Sequence, residues 1–414
     1  MKKILFILLI LFLCFGGYIL YDNNKGIPKL KTEEEGINID RLFVYGNHFN
    51  LHGDIVSDNN LELVLYNGEF ITYSININDK EFNLSDKLNE GIDLEKIPVG
   101  EYYAFLRSTN KDKEDKDIYK YYVLNNKTKY KETEYYTFSN VDNKILINSD
   151  NDYKTLMFKV SENKDKDIYD VVIDPGHGGM DSGANKNGYK ESDLTLKVAL
   201  KLKKNLEEYG VKVKLTRTEG QLTLNDKLPD YGVHGRAVIP YEVKAKYVFS
   251  IHLNSNGSTY VNGLEVYAPG NINYDFAKSL AKNIKEGANT NYSTNRLNKK
   301  FDGVYNRMFT ESDIASARKE YESKDMKPYD VTVNSNYYFI IRETGGIVTG
   351  AYVDDRNEDV LGNPYYKSNV GAETYLLELG YLSNKNDFDN INNNMNKYSK
   401  AIANTFKSVF ENTL

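Results

Sequence analysis

Two hydrophobic rhythms divide the chain. Across residues 38–160, apolar positions come in short alternating stretches rich in Tyr, Ile, Val and Phe and broken by turn residues, the period-two pattern of half-buried strands. Residues 61–66, then Asn67-Gly68, then 69–77 predict a hairpin with a two-residue type I′ turn, because that turn needs positive φ at both central positions and Asn-Gly supplies it. Residues 101–107, after Pro98-Val99-Gly100, and 119–124, after the charged loop 111–117, predict further strands. Together they predict a small all-β sandwich domain over 38–160.

The polar run 161–167 predicts a linker, and beyond it the rhythm changes. Leu194, Val198, Leu202 and Leu206 recur every four residues and predict a helix over 191–209, with Gly210 as its C-terminal stop. Strands are expected at 169–174, 211–216, 247–252, 263–268 and around Glu378, with helices at 273–287 and about 385–410 and a helical stretch before Ala245. This alternation predicts an α/β domain over 168–414, a mixed sheet flanked by helices. An insertion at about 289–371 interrupts it, with a charged helix at 311–326 and a loop-rich stretch containing Gly345-Gly346 and Gly350. Long loops in compact domains commonly serve as lids or binding loops, so the insertion is expected to shape a groove.

The first 21 residues follow neither rhythm. Lys2 and Lys3 precede an uncharged apolar run over 4–21, which predicts a secretory signal or a membrane anchor with its N-terminus inside. No small-x-small cleavage site follows, which favours an uncleaved anchor, with 22–37 as a polar tether. The single cysteine, Cys14, follows Leu13 rather than a small residue, which argues against a lipoprotein. One cysteine also excludes a disulfide framework and a thiolate zinc site. A net charge of −6 with both signs spread along the chain argues against nucleic acid as a partner.

The candidate chemistry sits where apolar runs end. Val171-Val172-Ile173-Asp174 leads to Pro175-Gly176-His177-Gly178-Gly179, and Val248-Phe249-Ser250-Ile251 leads to His252. The carboxyl ends of strands in an open α/β sheet are where ligands gather. Glu191, opening its helix, stands over the same edge. Two imidazoles and one carboxylate form a three-ligand zinc set that leaves a position open for water. Glu378 interrupts the apolar run Tyr375-Leu376-Leu377-Glu378-Leu379, and a carboxylate in a buried strand is costly without a cation, a hydrogen bond or a raised pKa. Beside such a zinc it would serve as general base and acid. Singly, each residue has a plainer reading: His252 as a core histidine, Glu191 as an acidic residue at a helix N-terminus, and the glycines as an anion loop.

In combination the motifs resemble a known family. Asp-Pro-Gly-His-Gly-Gly at 174–179, Glu191, Ser-Ile-His-Leu-Asn at 250–254 and Leu-Glu-Leu-Gly-Tyr-Leu-Ser-Asn at 377–384 are similar to the zinc-dependent N-acetylmuramoyl-L-alanine amidases of the family 3 type. The resemblance covers about 168–414 and implies cleavage of the amide between N-acetylmuramic acid and L-alanine of the peptidoglycan stem. It implies Zn2+ on His177, Glu191 and His252, Glu378 as the catalytic residue, and Arg236 and Asn254 as candidate substrate contacts. Peptidoglycan and the cytoplasmic membrane are the expected partners, an activator protein is left open, and the expected location is outside the membrane, anchored or secreted to the wall. The competing expectations are a zinc hydrolase of another cell-wall peptide bond and a wall-binding or regulatory protein without turnover. His234 is read as a loop histidine. The turn residues around His48 and His52 argue against a second metal site.

Overall fold

The computed structural model describes residues 37–55, 60–124, 132–150, 154–186, 188–219, 235–323, 331–351 and 368–412, with short strand pieces at 20–21, 28–29 and 32–33. Most of the expected anchor and tether, His234, and residues 352–367 of the insertion lie outside the described residues. Among the described residues no helix is long and apolar enough to cross a membrane.

The C-terminal half is a mixed α/β fold built on a seven-stranded sheet. Its strands run in the order Val213–Leu215, Val171–Pro175, Tyr247–Asn254, Glu373–Tyr381, Glu265–Tyr267, Val304–Tyr305 and Lys299–Phe301. The first four are parallel, so their carboxyl ends share one edge, and Glu265–Tyr267 runs antiparallel beside Glu373–Tyr381. Strand side chains alternate between faces, which sorts these residues into two sets. Ile173, Phe249, Ile251, Leu253, Tyr375, Leu377 and Leu379 join one core with Leu194, Val198, Leu202 and Leu206 of helix Glu191–Glu207 and with residues of helices Asp275–Ala288 and Lys385–Glu411. The opposite set holds Asp174 paired with Ser250 and His252 paired with Glu378. Helices therefore cover the two faces unequally. Over the polar set lies the short helix Phe339–Thr344, whose Ile340 and Ile341 pack against Leu376, Tyr267 and Tyr305.

The N-terminal half is strand-rich. Its two largest sheets contain, in one, Ile37–Tyr45 and His48–Ile55, and in the other Leu61–Tyr66, Gly100–Lys111, Asn143–Asp150 and Thr155–Glu162. Val44, Phe49 and Leu51 from the first share a buried cluster with Leu63, Leu65, Ala104, Leu106, Ile147 and Phe158 from the second. The predicted hairpin forms, but Tyr66 pairs with Phe70, which leaves a three-residue loop, 67–69. Asn67 does not take positive φ, so the two-residue type I′ turn is not made.

The halves are joined by far more than the 161–167 segment, whose first two residues still belong to strand Thr155–Glu162. Phe43, Tyr45, Leu88 and Phe138 enter the core of the C-terminal half. The Phe138 ring lies 6.1 Å from Tyr247, 6.0 Å from Phe406 and 5.7 Å from Phe410. Val370–Gly371 adds a parallel strand beside Val44–Tyr45. Polar contacts seal the seam: Ser139 N and Oγ donate to Asp170, Lys246 Nζ donates to the Thr137 carbonyl at 2.7 Å, and Asn89 Nδ2 donates to Glu373 Oε1 at 3.0 Å. Burial pushes Glu373 and Glu95, both at this seam, up to about 7.

Two outcomes follow from this shared core. Truncating a buried Phe costs about 3–5 kcal/mol, so Phe138→Ala is expected to lower the melting temperature of the whole chain in one transition; early loss of the strand-rich half alone would contradict a common core. Glu373 stays protonated to about pH 7 when folded but ionises near 4.5 when unfolded. Its stabilising contribution is therefore full below 4.5 and lost as pH rises through 7. Thermal melts across that window should show Glu373→Gln losing less stability than the parent.

Candidate metal centre

Glu191 is the hub of the cluster. It opens helix Glu191–Glu207, where the N-terminal end of the helix dipole favours a carboxylate, and it is 4% exposed. Its Oε1 lies 3.2 Å from His177 Nε2 and 3.2 Å from His252 Nδ1, and accepts from Leu253 N at 2.9 Å. Its Oε2 accepts from Ala184 N at 2.9 Å. Burial opposes the Glu191 charge, but the hydrogen bonds and charges of His177 and His252 outweigh it and hold the carboxyl well below the usual range. Burial likewise works against a charged His177, while Glu191 and then Asp181 raise its pKa above the ordinary value.

The loop before the helix is shaped by these side chains. His177 itself has φ of +60°, which is uncommon for a residue with a Cβ and marks a backbone held by its surroundings. Two glycines make room: a Cβ on Gly176 would sit 2.4 Å from the His252 ring, and one on Gly183 would sit 2.6 Å from both Glu191 Oε2 and the His177 ring.

The residues fit a divalent cation. One donor atom from each of His177, Glu191 and His252 lies within 4.8 Å of the others, and the two imidazole rings are 4.9 Å apart at 79°. Two nitrogens and one oxygen suit zinc and leave room for a further ligand. Glu378 reaches the same cleft, of about 420 Å3, with its Oε2 buried and, among the described residues, without a hydrogen-bond partner. Burial first, then the charges of Glu191 and Glu265, push its pKa well above the carboxylate range. A cation in the cluster would relieve both the orphaned oxygen and the repulsion.

Residues 171–318 match the model of the family described as N-acetylmuramoyl-L-alanine amidase. Residues 171–318 are thus similar to this amidase family. Among relatives, the sporulation-specific N-acetylmuramoyl-L-alanine amidase of Bacillus subtilis (strain 168) is 43% identical over 100 residues, which is 23% of this chain and 34% of that protein. The probable cell wall amidase LytH of Staphylococcus aureus is 38% identical over 101 residues, 23% of this chain and 30% of that protein. The chain thus spans about a third of the length of the relatives it matches. The solved catalytic domain of CwlV, an amidase from Bacillus (Paenibacillus) polymyxa var. colistinus, is 22% identical at a TM-score of 0.37, covering 59% of this chain and 99% of that chain.

Within the matched region, the two candidate substrate contacts sit differently from the cluster. Arg236 is 5% exposed; its Nη1 lies 3.4 Å from Asp174 and its Nη2 donates to the His177 carbonyl at 2.9 Å. Its described contacts brace the histidine loop, although it also lines the cleft. Asn254 lines the cleft too, but its Nδ2 is 3.3 Å from Glu265 Oε2 and its Oδ1 accepts from Ser255 N. Asp174 accepts from Thr216 and Ser250 hydroxyls at 2.7 Å each; burial opposes its charge, yet Arg236 and these hydroxyls keep its pKa low.

Sequence reading missed two residues that support the cluster. Arg217 donates to the carbonyls of Pro175 and Gly176 at 3.0 Å and of Ser192 at 2.7 Å, so two buried arginines grip three consecutive carbonyls of the loop. Asp181 Oδ2 lies 2.7 Å from His177 Nδ1, fixing the ring so that Nε2 faces Glu191. A carboxylate four residues after a ligand histidine was the available signal. Losing such an outer partner typically costs about 10–100-fold in metal affinity. Asp181→Asn is expected to weaken Zn2+ binding by that order in calorimetry, and Gly176→Ala to weaken it further; parent-like affinity in both would break the assigned geometry.

Proposed function

We propose that the chain is a zinc-dependent peptidoglycan amidase that cleaves the amide between N-acetylmuramic acid and L-alanine of the stem peptide. The observation that carries this reading is the His177–Glu191–His252 cluster in one cleft with the Glu378 oxygen that has no hydrogen-bond partner among the described residues. His177, Glu191 and His252 would hold the ion. When bound, zinc supplies Lewis-acid polarisation of the amide carbonyl and eases deprotonation of water.

The side chains account for the rest. Glu378 takes a proton from the attacking water as its oxygen bonds to the carbonyl carbon, and returns that proton to the amine as the C–N bond breaks. The products are a lactyl carboxylate and a peptide with a free L-alanine amine. Asp181 and the carbonyl contacts of Arg217 and Arg236 hold the histidine loop, so little reorganisation accompanies the reaction.

The surroundings of the domain belong to the same proposal. Residues 38–160 are taken as a β-sandwich, a reading supported by two sheets sharing one apolar cluster. Lys2-Lys3 and the apolar run behind them support an N-terminal anchor that places the enzyme outside the cytoplasmic membrane. Peptidoglycan lies on that side.

The test is incubation of the detergent-solubilised full chain with purified sacculi, with and without chelator, beside Glu378→Ala. Stem peptides with a new L-alanine amine, lost with chelator and in the variant, are expected in mass spectra. A different new amine would redirect the reading to another wall bond, and binding without products would replace it with a wall-binding role. The pH profile adds a second check. A base must be ionised, so activity should fall as pH drops through the Glu378 pKa. Burial, the largest cause of its rise and one that a cation on Glu191 does not remove, should keep that acid limb above the ordinary glutamate value of about 4.3. Because the Glu265 charge contributes to that rise, Glu265→Gln should move the limb to lower pH.

A further inference from the structure

The cleft has two unlike walls. His177, Glu191, His252 and Asp174 make one; Tyr338, Phe339, Ile340 and Leu376 make the other, with Glu378 lining the same cleft. Three of the four apolar-wall residues come from the insertion, at the start of helix Phe339–Thr344. Leu376 is two residues before Glu378 and so lies on the same face of its strand.

This wall is fixed. Arg342 Nη1 donates to the carbonyls of Asn336 and Tyr337 at 3.1 and 2.9 Å, and Arg342 Nε pairs with Glu343 at 2.9 Å. Tyr337 N donates to the Arg307 carbonyl, and Asn336 Oδ1 accepts from Gly270 N at 3.0 Å. The Tyr338 ring stands 4.7 Å from Tyr267. Ile340 and Leu376, 2% and 4% exposed, close the floor, while Tyr338 and Phe339 remain half-buried at the cleft. The Glu378 charge also raises the Tyr338 pKa, after burial, which places the hydroxyl within its field.

Resting on the amidase reading above, the position of this wall has a chemical meaning. Glu378 hands its proton to the departing amine, so the residue that carries the amine emerges beside Glu378, against Leu376 and its neighbours. We infer that Tyr338, Phe339 and Ile340 are specificity determinants that admit a small apolar side chain on the amine-side residue of the scissile amide and reject larger or charged ones. The Phe339, Ile340 and Leu376 side chains offer no hydrogen bond to a polar side chain, and the contacts that hold helix Phe339–Thr344 oppose its displacement by a bulky one.

The experiment compares muramoyl-peptide fragments carrying alanine, leucine or aspartate at the first peptide position, cleaved by the zinc-loaded full chain in detergent. The parent is expected to favour alanine over leucine by at least about tenfold in kcat/KM, the range that pocket size commonly sets. Phe339→Ala should raise the leucine-to-alanine ratio about tenfold, whatever it does to alanine turnover, and leave aspartate rejected. Phe339→Leu serves as a milder variant with the same expected direction if the alanine variant fails to fold. An unchanged ratio in a folded, active variant overturns the inference while sparing the amidase reading. Absence of any amide cleavage by the parent overturns both.

Discussion

One carboxylate group draws the site together. Glu191 accepts from the backbone of Leu253 at the end of one strand and of Ala184 in the loop after another, while both histidines close on the same oxygen. The helix dipole and these donors offset the cost of keeping a charge nearly dry. Without it, the two imidazoles would lose the one oxygen that both approach. The arginines behind the loop play the complementary part, satisfying carbonyls that the positive-φ turn at His177 directs inward.

The gathering of the candidate residues was legible in the sequence because they lie on regular elements. Strand alternation puts Ser250, His252 and Glu378 on one face, and the four-residue repeat of helix 191–207 aims Glu191 at that edge, so local pattern and spacing were enough. Asp181 and Arg217 were not legible in this way. They act through loop backbone and through contacts distant in sequence, which no periodicity reports. Helix Phe339–Thr344 escaped for another reason: six residues, several of them β-branched or aromatic, carry no helical repeat, and packing on Leu376 and Tyr267 decides its form.

The division into a small all-β domain over 38–160 and a separate α/β domain over 168–414 was the plainest reading of the change in rhythm at 161–167. Composition marks where a linker can run, but it does not reveal what packs across it. Phe138 and Tyr45 are ordinary apolar residues in sequence and seam residues in the fold. The buried Glu373 lies on the same strand as Glu378, so a residue gripped by Asn89 of the strand-rich half and the cleft glutamate share one backbone segment.

The three candidate ligands come from a strand end, a helix start and a second strand far along the chain. An unfolded chain keeps such groups apart, so a cation that binds all three selects the assembled sheet, and binding energy becomes folding energy. The ion would therefore act as a mechanical rivet as well as a reagent. Scarcity of metal would then loosen the fold and open it to proteases, tying the lifetime of the protein to the supply of that ion.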